Sequence, residues 1–255
     1  MSISVRKSGR NSEQAVYYRE ISLGPEFITP HGKIGIAKIA LLLQQLASEH
    51  YFSAGETFQS MNSEGRIWIL TKIEITFCDS AFIGQQLAVK TWSRAFLKGK
   101  AYREFLFTAN EQVVLKAQTE WIHFDLKNLK QLHLDKDIII DFPQYNNTNF
   151  HSSIAEWHPE ILQKISTSIS YPLRYNDFDI LHHMNNTRYF EFIEDFCYKN
   201  KYVPTNIKHR FRKEISLGTE NISIEINEHT GNSFLYQFKK EEMVCAIGEC
   251  QFENL

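Results

Sequence analysis

In the stretch Arg174 to Phe196, RYNDFDILHHMNNTRYFEFIEDF, two carboxylates (Asp177, Asp179), two imidazoles (His182, His183) and two carboxamides (Asn185, Asn186) fall within ten residues. An aromatic run with helical spacing follows at once. Capping explains part of this. Asn and Asp oxygens accept from the orphan N–H groups that open a helix, and acids suit its positive end. A helix needs one cap, however, and here are six polar side chains. A carboxylate and an imidazole at the mouth of a buried helix are also what acyl-transfer hydrolysis requires. They can position or activate water, while free helix N–H groups face a developing oxyanion.

The elements that must hold such a cluster are legible in outline. Residues 33–54, KIGIAKIALLLQQLASEHYFSA, are apolar on nearly every side, which predicts a core helix stopped at Gly55. Alternating, β-branched and aromatic segments at 66–77, 84–96, 101–109 and 113–125 predict strands, the last two joined as a hairpin around Asn110-Glu111-Gln112. A polar, turn-rich shift at 141–153 marks a connector, with a short helix expected near HPEILQKI (158–165). The order then repeats: a strand at 166–175, the polar loop, a helix at 186–198, and strands at 210–217, 221–229, 233–240 and 243–253. Each half reads strand, loop, helix and a run of antiparallel strands. The expected fold is therefore α+β, a sheet curled around a central helix, made twice. The units expected are 1–140, a linker at 141–165, and 166–255.

The cluster, Asp177-Phe178-Asp179 with His183-Met184-Asn185-Asn186 and Arg188-Tyr189, resembles the D-x-D-x-N-x-H-x-N-N-x-K/R-Y signature of acyl-acyl carrier protein (acyl-ACP) thioesterases. VYYREISLGPEF, RIWILTKIEI, VKTWSRAFLKGKAYREFLF and AQTEWIHFDLKNLKQLHL are similar to that family's first half, in order and spacing, and FRKEISLGT (211–219) to its later acid-bearing strand. The resemblance spans roughly residues 14 to 253 and implies tandem hotdog domains, with the acyl chain read by the first half and catalysis in the second. It implies that Glu214 is the base for the attacking water, that Asp179 orients or polarises, and that His183 hydrogen-bonds the reacting group. A direct nucleophilic role for Asp179 stays open. Asn185 and Asn186 would open the helix that receives the thioester carbonyl.

Two positions depart from the family pattern. Leu181 stands where the family has Asn, and loss of one preorganised donor costs on the order of 10²–10³ in rate. His182, beside it, is the nearest group that could substitute. Ile215 stands where many plant members have Cys, which favours a carboxylate-driven route over a thiol nucleophile. At the first half's loop-to-helix junction, PEFITPHGKIG offers only Glu26 and His31, so one active site per chain is expected. The aromatics Phe52, Trp68, Trp92 and Trp121 read as core.

The partner implied is acyl carrier protein bearing acyl-phosphopantetheine. That protein is acidic, and Arg210, Arg212 and Lys213 are the basic group expected to meet it. A solvated edge strand would explain the same charges. No metal or organic cofactor is expected. A net charge of −2 argues against general nucleic-acid binding. The opening residues have no apolar signal core, IALLLQQLA is too short to span a bilayer, and four cysteines without C-x-x-C spacing read as buried thiols. A cytoplasmic setting is expected, and pairing of chains stays open. The rival readings are an acyl-CoA thioesterase and a hotdog protein that binds acyl chains with little turnover.

Overall fold

The computed structural model describes residues 15–53, 57–81, 83–132, 144–228 and 231–255. Its first half holds β1 (Val16–Ser22), α1 (Ile36–Ser53), α2 (Phe58–Glu64), β2 (Arg66–Phe77), β3 (Gln86–Leu97), β4 (Lys100–Ala109), β5 (Gln112–Asp125) and the short β6 (Lys130–Gln131). The second half holds β7 (Thr167–Pro172), α3 (Asn186–Asn200), β8 (Tyr202–Phe211), β9 (Asn221–Glu228), β10 (Ser233–Lys240) and β11 (Met243–Asn254).

All the strands form one antiparallel sheet, ordered β1-β3-β4-β5-β2-β8-β11-β10-β9-β7 with β6 beside β5. Read inward from either edge, both halves give the same order. The seam between them is the pairing of β2 with β8, from Lys72 opposite Arg210 to Thr76 opposite Asn206. The duplication seen in element order is therefore a pseudo-twofold repeat of topology. One face of the sheet wraps α1 and α3, whose apolar sides (Leu43, Leu46, Phe190, Ile193) join a single core with Phe105, Phe107, Phe234 and Tyr236. Turn chemistry fixes the hairpins. Lys98-Gly99 and Asn110-Glu111 all take positive φ, as two-residue turns between right-twisted strands require.

The other sheet face is crossed by residues 144–162, whose backbone is received by polar side chains rising from the strands. Trp92 donates to Asn147 O (3.0 Å), Lys116 to Asn149 O (2.9 Å) and Gln118 to Ser152 O (3.1 Å). Lys72 donates to the carbonyls of Ile154 (3.1 Å), Ala155 (3.4 Å) and Trp157 (2.9 Å). Glu104 and Gln237 accept from the Asn149 and Leu162 amides, at 2.8 and 2.9 Å. The connector is thus a strap, and it explains why Lys72, Glu104 and Gln118 are buried in strands, with Glu120 as the counter-charge of Lys72.

Several expectations are corrected. The helix expected at 158–165 is extended chain, with a single 3-10 turn at Ile154–Glu156 instead. The strand expected at 210–217 begins eight residues earlier, at Tyr202, and ends at Phe211, so Glu214 lies beyond it. β8 is also no edge strand, because β2 and β11 flank it. The helix α2 follows the core helix without a sequence expectation for it, Cys78 is exposed whereas the other cysteines are buried, and the Gly55 stop falls outside the described residues. No helix among the described residues is long and apolar enough to cross a membrane.

Candidate active site

Asp177 ends a 3-10 turn, Tyr175–Asp177, and is 2% exposed. Its Oδ2 accepts from Arg174 N (2.8 Å), its Oδ1 lies 3.0 Å from Arg188 Nε, and its carbonyl accepts from Asn185 N (2.8 Å). It ties the loop's beginning to the helix that ends it. Asp179 organises the turn between. Its Oδ1 accepts from Leu181 N (2.8 Å) and His183 N (3.1 Å), while its backbone N–H donates to His183 O (2.8 Å). At the tip His182 takes left-handed backbone, φ 61°, and is exposed.

The loop then pairs with the segment after β8. Met184 N donates to Ile215 O (2.8 Å), Leu217 N donates to His182 O (2.7 Å), and His183 sits opposite Ser216. This zipper carries Glu214 to the loop. Glu214 is exposed rather than enclosed, and its charge is felt by two buried neighbours. Burial, then Cys245 and Glu214, push the Tyr189 phenol up, and burial also raises the Cys245 thiol, with Glu214 adding to it. A thiol held protonated is no nucleophile. Among the described residues, the imidazole of His183, the carboxylate of Glu214 and Oδ2 of Asp179 carry no hydrogen bond. The structure brings these three segments together without joining their side chains.

Asn185 is the N-cap of α3, its Oδ1 accepting from Thr187 N (2.9 Å) and Thr187 Oγ1 (2.9 Å). Asn186, the first helical residue, donates from Nδ2 to Gln44 Oε1 on α1 (3.0 Å). With Asn185 N, Thr187 N and Arg188 N all engaged, the Asn186 N–H is the open donor at the helix tip among the described residues. Leu181 faces a cavity of about 220 Å³ whose other walls come from the first half, including Tyr51, Met61, Trp68, Phe96 and Trp121. Phe52, Trp68 and Trp121, expected in the core, line this cavity, and Trp92 does not. Arg103 lines it too, although beside Glu104 in an alternating strand its charge reads as an ordinary solvent-facing position.

The equivalent junction in the first half has the same backbone. Its bridge Ile28–Ile34 matches Phe178–Met184, and Gly32 (φ 71°) matches His182. There the helix tip is closed: Glu194 of α3 accepts from the Ile36 N–H. His31 packs its ring on Tyr198 (4.7 Å between centroids), and Glu26 is exposed. Of the basic group, Arg212 and Lys213 are exposed beside Glu214, their amides donating to Cys245 O at 2.8 and 3.1 Å. Arg210 is paired across the seam with Lys72 and so shares the face that the strap covers.

Family models match nearly the whole chain. The acyl-ACP thioesterase N-terminal domain matches residues 16–142 and the acyl-ACP thioesterase C-terminal domain matches 160–253. An acyl-ACP thioesterase structure from Bacteroides thetaiotaomicron superposes with a TM-score of 0.83 at 18% identity, covering 95% of this chain and all of that one. The 12:0-ACP thioesterase of Umbellularia californica gives 0.79 at 12% identity, covering 94% and 95%. At such identities the structural likeness speaks for the tandem hotdog fold alone. No curated protein matches the chain by sequence.

Proposed function

Because the chain belongs to the acyl-ACP thioesterase family, we propose that it hydrolyses fatty acyl-ACP by carboxylate-assisted attack of water at the tip of α3. The observation that carries this reading is the zipper between residues 182–184 and 215–217, beside an apolar cavity. The acyl chain enters the cavity past Leu181, leaving the thioester carbonyl at the helix tip. Glu214 takes a proton from water as its oxygen attacks the carbonyl carbon. The oxyanion is held by the Asn186 N–H and the helix dipole. Collapse expels the phosphopantetheine sulfur, which recovers the proton from Glu214, and the products are free fatty acid and holo-carrier. His183 hydrogen-bonds the reacting group. Asp179, one oxygen fixed by two amides, orients the water with the other.

The carrier docks on the exposed Arg212 and Lys213, with Arg210 contributing only through the field of the sheet face behind them. Thiol release from a panel of acyl-ACPs and acyl-CoAs of matched chain length tests the whole reading. Glu214→Ala and Asp179→Ala should each cost on the order of 10²–10⁴ in kcat/KM. Charge reversal at Arg212 and Lys213 should raise KM for the carrier substrate and leave the CoA substrate alone. Full activity in Glu214→Ala would remove the base, and no release from any acyl-ACP would remove the function.

A further inference from the structure

Lys72 and Arg103 are the two buried cations among the described residues, and they differ in company. Lys72 has Glu120 at 3.5 Å. Arg103, 7% exposed in the middle of β4, forms no ion pair with any described residue. Its Nη1 donates to Thr91 Oγ1 (3.2 Å) and to His50 Nδ1 (2.8 Å), which makes Nδ1 the acceptor of that ring. Its Nε and Nη2 carry no hydrogen bond among the described residues, although the side chain lines the apolar cavity. Burial alone pulls its pKa down to about 10, the mark of a cation without a counter-charge. Nε and Nη2 form the edge of a guanidinium that meets a carboxylate with two parallel bonds. A buried charge left in this condition is costly, and a matching group in the cavity removes the cost.

We propose that Arg103 is a specificity-determining residue, and that the cavity selects acyl chains bearing an oxygen function, a carboxylate above all, on the part that enters it. This rests on the thioesterase reading for the reaction, but the binding it describes can be measured without turnover. Trp68, Phe96 and Trp121 cover the methylenes, and the guanidinium receives the oxygen atoms. At about 220 Å³ the space is below the roughly 300–1,000 Å³ of pockets for drug-sized ligands, so the chain is short.

Two experiments on the full chain test this. In the first, thiol release is compared for plain and carboxyl-terminated acyl-ACPs of equal chain length. The wild type should favour the carboxylated chain at least tenfold in kcat/KM, Arg103→Met should reverse the preference, and Arg103→Lys should keep part of it. In the second, tryptophan fluorescence is followed while the methyl ester of a monoacid and the monomethyl ester of a diacid of the same length are added to the wild type, so that only the diacid brings a free carboxylate. Tighter binding of the diacid supports the inference even if no thioester is cleaved, in which case only the reaction reading fails. Equal or weaker binding of the diacid, or a wild-type preference for the plain chain, overturns the inference and leaves the thioesterase reading standing. Both wild-type measurements decide the matter even if an Arg103 variant does not fold.

Discussion

Asp177 and Asp179, two residues apart, sit in different surroundings. Asp177 is buried against Arg188, which also pairs with Glu191, so Asp177→Asn removes one of two counter-charges and weakens the loop's hydrogen bonds, and a loss of about 1–3 kcal/mol is expected in thermal or denaturant unfolding. Asp179→Asn keeps the oxygen that receives the Leu181 and His183 amides. It should unfold close to the wild type, within about 1 kcal/mol, while thiol release collapses. A comparable fall in stability for both would deny the distinction. His182 gives a third contrast: at φ 61°, His182→Val should cost about 1–2 kcal/mol in the same measurement, whereas His182→Gly should be nearly neutral. The density of polar groups in this cluster is plain in the sequence, and so is a cap at Asn185 or Asn186, which the structure places at Asn185. Which carboxylate is buried was not legible, because that depends on where Arg188 turns. Leu181 was legible only as a missing donor, although it forms cavity wall.

The two core helices exchange parts. The tip of α3 reaches Gln44 of α1, and the tip of α1 is closed by Glu194 of α3. Burial raises the Glu194 carboxyl from 4.5 to about 7, despite the amides of Ile36 and Ala37, which pull it down. The folded state therefore holds this proton more tightly than the unfolded chain. Its contribution to stability is full below pH 4.5 and declines as pH climbs to about 7. Glu194→Gln should flatten that decline, gaining on the order of 3 kcal/mol over the wild type between those limits, as read from urea unfolding across pH. Parallel curves for the two proteins would exclude the effect. Element type was mostly readable because α1 and the strands carry strong periodicity. β8 was misplaced because Tyr202-Val203-Pro204 looks like a turn, and because the charges of Lys208, Arg210 and Arg212 extend the alternation past the true strand end. The register that bonds Ile215 to the loop has no local signature at all.

Across the whole molecule, the strap is the least legible feature, since every bond that holds it spans many residues. Lys72→Met would strip the Lys72 ammonium from the carbonyls of Ile154, Ala155 and Trp157, of which Ile154 keeps the Trp157 amide, at roughly 1–3 kcal/mol for each buried group left unsatisfied. Faster cleavage within 144–160 by a trace of protease is expected, and unchanged cleavage would show that the strap is held elsewhere. The duplicated topology was visible in the order of elements, whereas the continuity of the sheet was not. That continuity has a consequence during synthesis. Until β8 is made, β2 presents a bare rim of amides and carbonyls from Lys72 to Thr76, open to any other extended chain. A nascent first half is thus a template for its own kind, and two such chains can trade partners before either is complete.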